Sequence, residues 1–144
     1  GLVATAGSLT LNGPFVQPFD GCVLGSGCSL SLQGYGLNSS NQVTLSTTAC
    51  EAGSSVSWSG IELPAGPGSE VGSYDLGRPT SGVPAVSYRL CWQHAAGAAW
   101  VEVNKSVVLA GPYYVRAQCT LGVTCRVSLG GVLVPSSELR IHRG

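Results

Sequence analysis

Six cysteines are the residues with the clearest chemistry: Cys22, Cys28, Cys50, Cys91, Cys119 and Cys125. An even number in a small, glycine-rich chain points to oxidised pairs and an address outside the cell. Zinc is the competing chemistry. It favours cysteines two to four residues apart, usually with histidine. Here the close pairs are C-x5-C, and His94 and His142 stand alone. The remaining acid–base inventory is Asp20, Asp75, Glu51, Glu62, Glu70, Glu102 and Glu138. A Ser-His-Asp relay can be assembled on paper, but serine is so abundant that such a match carries no weight. A pair of carboxylates for glycoside hydrolysis is placed only by the fold. The chain contains neither a glycine-rich phosphate loop nor an Asp/Asn-rich calcium loop. The expectation is therefore a protein that is not an enzyme, with no cofactor and no metal.

Composition narrows the partners. Charged residues make up 10% of the 144 and the formal net charge is zero, against roughly 25% charged in ordinary soluble proteins. There is no basic stripe for nucleic acid and no polybasic patch for a membrane surface. The longest apolar runs fall well short of the roughly 20 residues a spanning helix needs. A chain that starts at Gly1 and contains no Met reads as a mature or excised product whose signal peptide has gone. So few charges repel neighbouring copies weakly. Two sequons, Asn38-Ser39-Ser40 and Asn104-Lys105-Ser106, offer N-linked glycans at Asn38 and Asn104 as another source of solubility.

The elements that position these groups are announced twice. "CVLGSGCSLSLQG" from Cys22 returns as "CTLGVTCRVSLGG" from Cys119, and nine of 19 aligned columns are identical. "SLTLNGPF" (8–15) resembles "SVVLAGPY" (106–113), and "QVTL" (42–45) resembles "ELRI" (138–141) after a one-residue gap. A period near 97 residues is too long for a solenoid and suits a whole β domain in tandem. The reading is a closing strand of a preceding unit over 1–12, a complete unit over 13–110, and the first strands of a second unit over 111–144.

The unit reads as strands. "CSLSLQG" alternates through Cys28, Leu30 and Leu32, "NQVTLST" through Val43, Leu45 and Thr47, and "SYRLCWQH" through Tyr88, Leu90 and Trp92. "WVEVNKSVVLAG" carries Val101, Val103, Val107 and Leu109. "HAAGAAW" (94–100), broken by Gly97, is a loop, and "YDLG" around Asp75 is a candidate turn. Several short strands bounded by Gly, Pro, Asn and Ser predict an all-β chain, specifically a two-sheet antiparallel sandwich.

Four cysteines in the full unit allow three pairings. The second unit holds only Cys119 and Cys125. Six extended residues reach roughly 20 Å, whereas a disulfide needs Cα atoms about 4.4–6.8 Å apart. The chain must therefore reverse between them, at Gly25 and Gly122. This favours Cys22–Cys28, Cys119–Cys125 and Cys50–Cys91. The open alternative is Cys28–Cys91 across the sheets, though Cys91 has opposite parity to Tyr88, Leu90 and Trp92.

"LSLQGYGLNSSNQVTL" resembles the opening of Ig-like TIG/IPT domains, and "SGVPAVSYRLCW" resembles the penultimate strand of an Ig-like sandwich. One departure is that Tyr88 precedes Cys91 by three residues, not the two of antibody-type domains. Together with GPF/GPY, C-x-LG-x-x-C, YDLG and YRLCW, these segments resemble the tandem repeats of algal and protist surface proteins, notably flagellar-hair (mastigoneme) filament proteins. The resemblance spans the chain. It implies an Ig-like sandwich in an extracellular cell-surface appendage.

A third of a sandwich leaves Val127, Leu129, Val134, Leu139 and Ile141 facing water. Covering such side chains is worth about 1.5–3 kcal/mol each. The expectation is head-to-tail completion, with Leu2, Leu9 and Leu11 of one copy added as a strand to residues around Cys125–Ile141 of the next. A contact of that kind that does not close makes a filament, so the expected partner is the chain itself. The rival is a clip from a longer tandem array, in which the remaining strands follow Gly144. A further alternative is an adhesin or carbohydrate-binding module in which flat aromatics among Trp58, Trp92 and Trp100 stack on the sugar rings of a polysaccharide. Trp92 shares a face with Leu90 and reads as core, and Trp58 is the ring expected to be exposed or in a subunit contact.

Overall fold

Side chains leave alternate faces of an extended backbone, so residues that alternate apolar and small polar bury one face and wet the other. The computed structural model describes residues 7–52 and 55–143, and over these the pattern gives nine strands and no α-helix. They are β1 (Gly13–Pro14), β2 (Cys22–Val23), β3 (Cys28–Ser31), β4 (Gly34–Tyr35) and β5 (Gln42–Ser46). After a 3-10 turn at Cys50–Ala52 come β6 (Ser73–Gly77), β7 (Ala85–Gln93), β8 (Val101–Pro112) and β9 (Gly131–Val132).

The principal sheet runs β2-β8-β7-β5, and β9 joins the far end of β8. β3 pairs with β6, and β1 pairs with β4. The principal sheet and the β3–β6 pair feed one core: Leu30 from β3 and Tyr74 and Leu76 from β6 meet Val43, Leu45, Leu90, Trp92, Val107 and Leu109 from the larger sheet. The chain is thus essentially all-β, with mixed sheets. The expectation of purely antiparallel pairing is corrected at β2, which lies parallel to β8 in the register Cys22↔Leu109 and Val23↔Ala110. Parallel neighbours need a long connection, and nearly the whole unit lies between these two strands.

Other corrections are local. "YDLG" is a strand, with Tyr74 and Leu76 inward and Asp75 outward. β5 ends at Ser46, leaving Thr47 exposed. Thr44 and Ser46 are buried on its other face, where the Thr44 and Ser55 hydroxyls meet at 2.6 Å, and Ala65 pairs with the Val43 backbone along its outer edge. Val101 is exposed although Val103 is buried; it pairs with Trp92 at the end of the β7–β8 ladder and lines an open groove with Trp92, Leu11 and Phe15. Residues 94–100 form a loop closed by Ala98 N donating to Ala95 O.

Candidate functional site

The two repeated phrases fold alike at their openings. Gly13 and Pro14 pair with Tyr35 and Gly34, and Gly111 and Pro112 pair with Val132 and Gly131. Phe15 N donates to Gln33 O at 2.8 Å, as Tyr113 N does to Gly130 O. Ser26 N donates to Val23 O, as Val123 N does to Thr120 O. Gly25 and Gly122 turn with φ of 80° and 81°, a conformation that suits glycine because it lacks Cβ. Those turns bring the cysteines together, and Cys22–Cys28 and Cys119–Cys125 are disulfides with Cα separations of 5.2 and 5.4 Å. The third disulfide is Cys50–Cys91. Cys91 points away from Tyr88, Leu90 and Trp92, towards the 3-10 turn that carries Cys50.

The two openings differ in what covers them. Leu30, Leu32, Val43 and Leu45 of the first are buried. Of the residues aligned with them, Val127 is 38% exposed, Leu139 61% and Ile141 93%, and Leu129 is half-buried. The same contrast holds at the other end. Val107 and Leu109 are fully buried, while their counterparts Leu9 and Leu11 are 98% and 88% exposed. Leu2 lies outside the described residues. Leu129 and Leu139 line a groove of about 630 Å³ with Leu24, Val83, Pro84 and Tyr113. Of the apolar residues marked for assembly, Leu9, Leu11, Val127, Leu139 and Ile141 are exposed and Leu129 is half-buried.

The sequons differ in geometry. The Asn38 side-chain oxygen Oδ1 accepts from Ser40 N and Ser40 Oγ on an exposed turn. The Asn104 amide donates to Gln17 O at 3.2 Å from within β8. Trp58 is not the exposed ring that the sugar-binding alternative named. It is 7% exposed and packs edge-on against Tyr88 with centroids 4.8 Å apart. Tyr88 is fixed in turn by its hydroxyl donating to Val83 O.

Among the described residues, no group of three or more His, Cys, Asp or Glu gathers as a metal site. Glu62 and Asp75 share a shallow groove of about 300 Å³, a proximity hidden in sequence because residues 60–62 pair back onto the end of β6. The Asp75 carboxylate accepts from Gly77 N at 2.9 Å. Burial raises the Tyr74 phenol above its ordinary pKa, and Trp92 pulls part of that back. Among the described residues, the Tyr74 hydroxyl and Trp92 Nε1 nevertheless meet no partner in hydrogen-bond geometry. No protein-family model, curated protein or solved structure matches the chain.

Proposed function

We propose that this chain is a structural repeat of an extracellular fibre of the mastigoneme kind, whose Ig-like sandwich units join head to tail by strand completion. The observation that carries the reading is the pairwise contrast in burial. Equivalent positions are covered in the complete unit and open in the second opening and in the segment before β1. In this reading the β2-β8-β7-β5 sheet is one layer of the sandwich and β3–β6 the other, supported by their shared core. Three disulfides are compatible with an extracellular setting. With Trp58 inside the core, the adhesin alternative loses the ring expected to be most exposed.

Energetics set the strength of the joint. Each apolar side chain covered contributes about 1.5–3 kcal/mol. Association without a covalent link costs roughly 4–15 kcal/mol in lost freedom. The two are of similar size, so joining is weak at dilution and grows with local concentration. Sedimentation velocity over a wide concentration range, with electron microscopy of the most concentrated sample, tests this. Growth into linear particles is the expected result. A monodisperse monomer throughout, of intact mass equal to the polypeptide plus any glycan, overturns self-assembly.

A further inference from the structure

The internal duplication supplies a register for the joint. This inference rests on the head-to-tail reading just proposed. Aligning 8–15 with 106–113 places Leu9 on Val107, Leu11 on Leu109 and Asn12 on Ala110. Aligning the cysteine phrases places Cys119 on Cys22, Thr120 on Val23 and Leu121 on Leu24. Within the complete unit these two segments are partners. Leu109 and Ala110 pair in parallel with Cys22 and Val23, and Leu24 N donates to Ala110 O at 2.9 Å. Leu24 lies so close to Gly111 that a Cβ there would strike it.

Both segments have a second, unpaired copy. Among the described residues, no strand includes 8–12 or 119–121, and Leu121 is fully exposed. One chain thus carries an unused tongue and an unused groove whose mutual fit is already demonstrated between their duplicates. We infer that Leu11 and Asn12 of a second copy pair in parallel with Cys119 and Thr120, with Leu121 N donating to the Asn12 carbonyl. Leu121 then lies against Gly13 of the incoming copy, as Leu24 lies against Gly111, on the side where the ring of Trp92 of that copy would stand 3.7 Å from a Cβ. The acceptor is the edge at 119–121 and not the stretch 125–141 favoured by sequence. The match departs at Gly21, which packs against the Val108 backbone. Gln118 takes its place after a one-residue deletion, so the inferred pairing begins at Leu11 and does not extend to Thr10. Each docking repeats the same operator and leaves a fresh tongue and groove, which yields an open chain of copies.

The test uses the full chain carrying a photoreactive diazirine analogue of leucine at position 11 only. It is irradiated at concentrations where copies associate, and the adducts are mapped by mass spectrometry. Intermolecular adducts within 119–121 are the expected result. A companion variant, Leu11→Asp, is expected to weaken association at least tenfold with an unchanged circular dichroism spectrum and Tm, because residues 8–12 belong to no strand. Association with adducts confined to 125–141, or a Leu11→Asp variant that associates like the parent, overturns the register and leaves head-to-tail joining standing. Absence of association at every concentration overturns both.

Discussion

At the scale of single residues, glycine placement separates covered from open structure. A Cβ at Gly34 would strike the Gly13 carbonyl and Pro14, and one at Gly131 would strike the Gly111 carbonyl and Pro112. The two sites are equivalent, but only Gly34 lies in the unit with a filled core. Overpacking of this kind costs about 1–3 kcal/mol. Gly34→Ala is therefore expected to lower Tm by several degrees, while Gly131→Ala leaves Tm unchanged and loosens only the β8–β9 pairing. Thermal unfolding followed by circular dichroism distinguishes the two. Tyr74 supports a second prediction. Its phenol is fully buried with an unpartnered hydroxyl, and burial holds its pKa above the ordinary value. Above about pH 10 the unfolded chain sheds this proton first, so the group's contribution is intact at lower pH and is lost as pH rises. Tyr74→Phe is expected to match or exceed the parent's stability at pH 7, by up to about 1 kcal/mol. It should also lose less between pH 9 and 11, as measured by urea unfolding.

Elements were legible where alternation was clean. Cys28–Leu32, Val43–Leu45 and Tyr88–Trp92 bury the residues their period marks. β6 was missed because Asp75 and Gly77 look like turn residues, although Tyr74 and Leu76 already alternate around Asp75. The parallel β2–β8 pairing carries no local signal, because two residues beside a remote strand show no period of their own. Burial of Trp58 likewise follows from Tyr88, 30 positions away in the chain. The disulfides belong to this scale too, since Cys22–Cys28 and Cys50–Cys91 each tie two elements together. Cys50–Cys91 spans 41 residues and anchors the 3-10 turn to β7, whereas Cys119–Cys125 spans six within exposed chain. Closing a loop of some forty residues is worth about 4 kcal/mol in the chain-entropy account. Replacing Cys50 and Cys91 together by alanine is expected to lower the unfolding free energy by about that amount. Replacing Cys119 and Cys125 together is expected to leave the main urea transition in place. Coincident midpoints for the two double variants would contradict this division.

For the whole molecule, the legible feature was the duplication, and what sequence left open was the pairing it implies. β8 shows why. Its Leu109 and Ala110 complete the first unit against β2, and its next two residues, Gly111 and Pro112, begin the second opening against β9. One continuous strand thus pairs with β2 and β9 in succession, and a boundary expected at Ala110 falls inside it. If the second opening differs from the first only in lacking cover, supplying the cover must convert it. Ile141 aligns with Leu45, so a chain continued after Ile141 with a second copy of residues 46–112 carries the missing strands in order. Amides of 125–141 are then expected to gain hydrogen-exchange protection by at least tenfold, and binding of a hydrophobic dye to fall below that of the parent. Burial of Val127, Leu139 and Ile141 to the degree of Leu30, Val43 and Leu45 drives both changes. An added copy that folds while 125–141 exchanges as before would mean that the likeness of the two openings ends at their first turns.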